Sequence, residues 1–181
     1  TSEPIVTSSV GNVTDARIIA ASVNEPGSWL AYGQTYKEQR FSMLTQIDKD
    51  NVSNLGLAWT KAIGSMERMQ ATPLVVDGVM YVTNGLSVVY AIDAISGKEI
   101  WTFDPQTDRG YIQYAFDLPT NRGVAVYKGR VYVATFDGRL FAINASNGEK
   151  VWEVDTWHPS ALDRFNITGA PRAAAGKIYI G

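Results

Sequence analysis

One histidine, His158, and no cysteine leave this chain without the groups that most often build a metal centre, a disulfide or a covalent nucleophile. His158 precedes Pro159 in a loop-like stretch and reads as a surface or packing residue. The residues whose spacing carries chemistry are hydrogen-bonding ones. Asp93 and Asn144 stand 51 positions apart, and each is followed by the same order of residues: a short stretch beginning with alanine, a glycine (Gly97, Gly148) and then a tryptophan (Trp101, Trp152). A carboxylate or amide oxygen at the first position can accept hydrogen bonds from the amides of a following turn. The glycine supplies the positive φ that such a turn needs. The indole can then dock against a neighbouring element, burying a large apolar area with its N–H satisfied. As residue types alone, Arg122 reads as a surface arginine, and Thr135 and Thr168 as ordinary strand threonines. The Asn-x-Ser/Thr triplets at Asn12, Asn51, Asn144 and Asn166 read as chance or turn chemistry.

These positions need elements to hold them, and the repeat describes the elements. The offset of 51 holds without a gap from Gly78 and Gly129, through Tyr81 and Tyr132, to Asp104 and Asp155. Within each unit the pattern is strand, tight turn, strand, strand, strand. Residues 73–82 give a hairpin about Asp77-Gly78, followed by strands at 88–92 and 98–103. The same order recurs at 124–127, a Lys128-Gly129 turn, 131–134, 140–143 and 150–154. A third unit begins at Pro171 and turns at Ala175-Gly176. Four short antiparallel strands in a unit of about 40–50 residues describe one blade of a β-propeller. Leucine-rich and helical repeats do not fit, because helix-period runs are missing and turn glycines recur. Residues 57–63 read as a further strand ending a blade completed from the far C-terminus. The expected organisation is an N-terminal arm with short helices over 1–56 and propeller blades over 57–181. Residues 1–13 form a tail, residues 14–22 a helix capped by Thr14, and residues 48–55 a second short helix. Two blades and part of a third cannot close a ring, so the chain is expected to be part of a longer polypeptide or to pair with another.

A formal charge of −2 with scattered Lys and Arg gives no footprint for nucleic acid and no polybasic membrane patch. No apolar run approaches the length of a membrane-spanning helix. Absent cysteine says little about compartment. The chain begins at Thr1, which fits a processed or trimmed N-terminus, and no signal peptide is visible.

The unit Ala-x-Asp/Asn-x-x-Ser/Asn-Gly-x-x-x-Trp resembles the tryptophan-docking motif of pyrroloquinoline quinone (PQQ) dehydrogenases. The resemblance extends through Trp29, Tyr32-Gly33, Gln39-Arg40-Phe41-Ser42, residues 55–59, residues 71–82, Asn121-Arg122-Gly123, Asp137-Gly138-Arg139-Leu140 and residues 167–172. It covers about residues 25–181 and is nearest the alcohol dehydrogenase branch, including quinohaemoproteins with a C-terminal cytochrome. The resemblance implies an eight-bladed propeller with PQQ near its axis beside a Ca²⁺ or lanthanide ion. It implies alcohol oxidation by hydride transfer to the quinone, electron transfer to a cytochrome c, a haem c in a downstream domain for the quinohaemoprotein members, and a periplasmic location. Carried over residue by residue, it implies that Arg122 reaches the quinone oxygens and that Thr135 and Thr168 face PQQ carboxylates. Gly169 and Ala170 would let backbone N–H groups approach an anion, and Gln70 would line the site.

This chain departs from the family pattern at two places. Gln70 stands where the family usually has glutamate, and Ala115 and Phe116 stand where its alcohol dehydrogenases carry adjacent cysteines. Phe116 could stack on a flat cofactor or pack between blades. By the same resemblance the metal-binding glutamate, the stacking tryptophan and the catalytic aspartate fall after Gly181, so no catalytic residue and no metal ligand is expected here. The alternative reading is a non-enzymatic propeller scaffold of the cell envelope that shares the docking repeat.

Overall fold

The computed structural model describes residues 10–64, 68–110, 118–156 and 166–181. His158, Ala115 and Phe116 lie outside these, as does most of the expected N-terminal tail.

Strands β2 (Leu74–Val76), β3 (Val79–Thr83), β4 (Val89–Asp93) and β5 (Glu99–Phe103) form one antiparallel sheet in chain order. Strands β7 (Ala125–Tyr127), β8 (Arg130–Ala134), β9 (Arg139–Asn144) and β10 (Lys150–Asp155) form a second, and β11 (Arg172–Ala174) pairs with β12 (Lys177–Tyr179) as a third hairpin. These are the two blades and the partial third that the repeat predicts. Each opens with the same two-residue turn. Asp77-Gly78, Lys128-Gly129 and Ala175-Gly176 all have positive φ at both positions, the type I′ geometry that matches the twist of a hairpin. A short pair, β1 (Arg68–Met69) with β6 (Thr120–Asn121), runs parallel between the segments leading into the first two blades. The sequence pattern does not announce it.

The core lies between blades. Leu74, Val76, Tyr81, Val89 and Trp101 of the first blade meet Val124, Val126, Val131, Val133, Phe141 and Ile143 of the second. The second blade is covered on both faces, so β9 is buried at its four central positions. β3 of the first blade instead alternates toward its end. The tryptophan docking follows the predicted logic and adds a detail. Trp101 donates its indole N–H to Ala145 O at 3.0 Å, in the β9–β10 turn of the next blade. Trp59 does the same toward Ala94 O at 3.3 Å, in the β4–β5 turn. Those turns are built as expected: Asp93 accepts from Ile95 N, Ser96 N and Ser96 Oγ, and Asn144 accepts from Ser146 N and Oγ.

Three expectations change. Residues 57–63 are not a strand, since no sheet partner pairs with them among the described residues, although Trp59 docks as a blade-ending tryptophan would. Residues 48–55 form only a single 3₁₀ turn at Val52–Asn54, with Asp48 accepting from the amides of Asp50 and Asn51. Trp152 is half-buried rather than buried. It packs on Tyr132 at the edge of a small buried cluster, but the turn that would receive its indole would lie one repeat further on.

Helix α1 (Asp15–Asn24) is one turn-end longer than predicted and starts where predicted. Thr14 caps it by accepting from Arg17 N at 3.2 Å. Its Ile18 and Ala21 enter the core, and its polar residues reach all three hairpin turns. Asp15 accepts from Tyr127 Oη at 2.7 Å and Ala175 N at 3.0 Å, and Arg17 pairs with Asp77 at 2.6 Å. This end of the strands is therefore tied together, and the opposite end carries the candidate site.

Candidate functional site

At the end of the blades opposite α1, the segments that enter each blade lie side by side. Thr72 N donates to Arg122 O at 3.1 Å, and Arg122 N donates to Thr168 O at 3.0 Å. One backbone ladder thus runs across the entries of the first, second and third blades, with Arg122 in the middle. Its guanidinium also donates through Nη1 to the Thr168 hydroxyl. The structure therefore brings together Arg122 and Thr168, two of the predicted site residues, on different blades and 46 positions apart.

The backbone here is close-packed. Gly123 has φ +123, and a Cβ at that position would stand 3.0 Å from Thr72 O and 3.9 Å from the Ala170 methyl. Only glycine adopts this conformation without strain. A Cβ on Gly169 would lie 2.8 Å from Gly181 O. The absent side chain at 169 thus lets the main chain of Gly181 come close. Thr168, Gly169 and Ala170 are each half-buried, and so is Arg122. Gln70 sits on the segment between β1 and Thr72 with its side chain exposed.

Among the described residues, the hydrogen bonds of the Thr135 side chain stay within its own loop and do not include Arg122 or Thr168. Thr135 is fully buried, and its hydroxyl donates to Asp137 Oδ1 while accepting from Arg139 N at 3.1 Å. It closes its own loop between β8 and β9. Asp137 also accepts from Asp108 N at 2.8 Å and from Arg139 Nη2 at 2.7 Å. Burial pushes the Asp137 carboxyl up, but the hydrogen bonds from Arg139 and Thr135 outweigh it and hold it below the usual carboxylate range. Arg139, itself half-buried, carries on to Pro105 O and Gln106 O, so this pair fastens the connection between the first and second blades.

Sequence reasoning missed the residue beneath Arg122. Asn121 is 1% exposed and makes four hydrogen bonds: it accepts from Thr83 Oγ1 (2.7 Å) and Gly123 N (2.9 Å), and donates to Ser87 Oγ (3.0 Å) and Ala134 O (2.8 Å). The only signal was its place in the Asn-Arg-Gly triplet, because its side-chain partners on the first blade are 34 and 38 residues away.

The site offers hydrogen-bond donors and a permanent cation around closely spaced backbone, the arrangement that suits a flat anionic ligand. Among the described residues no three His, Cys, Asp or Glu side chains are grouped to hold a metal ion.

Residues 29–157 match the family model of the PQQ glucose/ethanol/alcohol dehydrogenase β-propeller domain. The chain belongs to this family. It is 52% identical over 170 residues to quinohemoprotein alcohol dehydrogenase ADH-IIG of Pseudomonas putida, covering 94% of this chain and 23% of that protein. The solved structure of the P. putida HK5 enzyme superposes with a TM-score of 0.92 at 51% identity, over 97% of this chain and 25% of that one. A 1-butanol dehydrogenase (cytochrome c) of Thauera butanivorans is 46% identical over 155 residues, covering 86% of this chain and 22% of that protein. A europium-containing methanol dehydrogenase superposes with a TM-score of 0.80 at 31% identity, over 88% of this chain and 28% of that one. The chain thus spans about a quarter of the length of these PQQ-domain relatives, and its blades are part of a β-propeller.

Proposed function

We propose that this chain is the N-terminal part of a PQQ-dependent alcohol dehydrogenase that passes electrons to a cytochrome c in the periplasm. The observation that carries the reading is the 52% identity to a quinohemoprotein alcohol dehydrogenase, spread over 170 residues and not confined to the docking repeat. That spread weighs against the scaffold alternative.

The residues present fit PQQ. Its carboxylates and adjacent carbonyls call for cationic and hydroxyl donors around a narrow slot. Arg122 offers a fork of donors of which one is used on Thr168. Gly169 and Ala170 leave room for a main-chain approach, and Gln70 is exposed on the neighbouring entry segment. The chemistry that PQQ supplies when bound is acceptance of a hydride, with a Ca²⁺ or lanthanide ion as Lewis acid. Arg122 holds the ligand's oxygens and stabilises negative charge on them. Thr168 orients Arg122 and shares its role as a donor. Thr135 shapes the adjoining loop rather than offering a free hydroxyl. The base, the metal ligands and any haem c domain would come from the remainder of the polypeptide, as would the pocket that selects the alcohol.

Full-length protein reconstituted with PQQ and either Ca²⁺ or a lanthanide should reduce an artificial dye with short primary alcohols. Arg122→Ala should lower that activity roughly 10- to 150-fold, the equivalent of about 1.5–3 kcal/mol for a charge-assisted contact, while the melting midpoint moves little. Failure to take up the quinone with either metal would sink the reading.

A further inference from the structure

We infer that Asn121 is the positioning residue for Arg122: a buried amide that fixes the arginine against the first blade so that its guanidinium is already aimed before the cofactor arrives. This rests on the reading of Arg122 as a cofactor contact.

Asn121 has two donors and two acceptor sites, and all four are used. The partners also fix which way round the amide sits. Gly123 N can only donate, so it must face Oδ1, and Ala134 O can only accept, so it must face Nδ2. Three of the partners come from three places. Thr83 ends β3, Ser87 lies in the β3–β4 loop, and Ala134 ends β8. Thr83, Ser87 and Ala134 have no exposed surface, so water cannot replace these bonds.

The β3–β4 loop is shaped to meet this amide. Asn84 accepts from Leu86 N and Val88 N, both at 3.0 Å, and closes the loop on itself. Ser87 is then held at φ +67, a conformation uncommon for serine, with its hydroxyl toward Asn121 Nδ2.

The consequence falls on the next residue. Arg122 has its N–H bonded to Thr168 O and its C=O bonded by Thr72 N, and the residues on both sides are pinned through the Asn121 side chain. Its Cα–Cβ direction is therefore set by three blades together. A long side chain aimed in this way loses less freedom when it binds. A generic buried amide would stabilise the fold. This one joins the loop of the first blade to the one cation in the Arg122–Thr168 pair.

The test uses the full-length enzyme, with PQQ titrated into the apo form at fixed Ca²⁺ and read by quenching of protein fluorescence, alongside thermal melting. Asn121→Asp keeps the acceptor toward Gly123 but turns a carboxylate oxygen on Ala134 O. Thr83→Val deletes one donor, and Thr83→Ser restores it. We expect Thr83→Val to weaken PQQ binding about 2- to 10-fold, the scale of one hydrogen bond, and Asn121→Asp to weaken it more, with Thr83→Ser close to wild type. In an Arg122→Ala background both losses should shrink below twofold, because the residue they act through is gone. If Asn121→Asp does not fold, the Thr83 series in the two backgrounds decides alone. Equal losses with and without Arg122, or no difference between Thr83→Val and Thr83→Ser, would overturn the positioning role and leave the cofactor assignment standing. An Arg122→Ala enzyme that binds PQQ normally would overturn both.

Discussion

Gly148 does two jobs at the scale of the residue. Its φ of +77 turns the chain between β9 and β10, which its place in the repeat predicts. Its missing side chain also makes the floor for a docked indole, since a Cβ there would stand 2.8 Å from the Trp101 ring. Gly97 repeats this under Trp59, at 2.5 Å. Trp101→Ala should destabilise the protein by about 3–5 kcal/mol. Gly148→Ala should cost about 1–3 kcal/mol from crowding beyond roughly 1 kcal/mol from its backbone angle. In the Trp101→Ala background the crowding part should disappear, and a denaturant-unfolding cycle in which the two losses simply add would refute the shared contact. The turn residues were legible because the motif occurs twice and its hydrogen bonds span two or three positions. Asn121 was not, because nothing local marks an amide whose partners come from another blade. Thr135 read as an ordinary strand threonine, not as a buried loop residue, because the carboxylate that accepts its hydrogen bond, Asp137, is itself held in place by Arg139.

Among the elements, α1 shows the same divide. Its start was legible in Thr14, a local signal, though it runs two residues past the expected end. Its docking was not, because Asp15 meets Ala175 across 160 positions. The pairs it makes should carry a pH signature. Hydrogen bonds from Tyr36 and Tyr127 hold the Asp15 carboxyl below its usual range. Burial raises that of Asp77, but Arg17 more than reverses it. A carboxyl with a lowered folded value stabilises the fold above the unfolded value of about 3.9. That contribution is lost as the pH falls through the lower folded value. Asp77→Asn should therefore lower the melting midpoint at pH 7, by an amount worth roughly 0.5–1 kcal/mol after solvent screening of a partly exposed pair. The gap to wild type should close as the pH is taken below about 4. A gap of constant size from pH 7 to pH 3 would mean that Arg17 and Asp77 do not act as an ion pair.

For the molecule as a whole, the ring is the unit of stability and this chain is an arc of it. Phe41, Met43, Leu44, Ile47, Leu55 and Leu57 present large apolar side chains to solvent, Leu57 at 81% exposure. A run of this kind is surface suited to burial against a partner element. The 181-residue chain on its own should self-associate in sedimentation experiments as its concentration rises, and a monodisperse, cooperatively melting monomer would show that the exposed run needs no cover. The helix at the opposite face has a further consequence for how the polypeptide reaches this state. Asp15 is made before Tyr127 and Ala175, so its bonds beyond the one from Tyr36 form only when those two residues exist. The first two blades can close their own sheets as they emerge, while α1 must wait. Its docking is therefore a late event that registers the arrival of the third hairpin, and the growing chain carries ahead of its blades a clasp that fastens only once these three turns are in line.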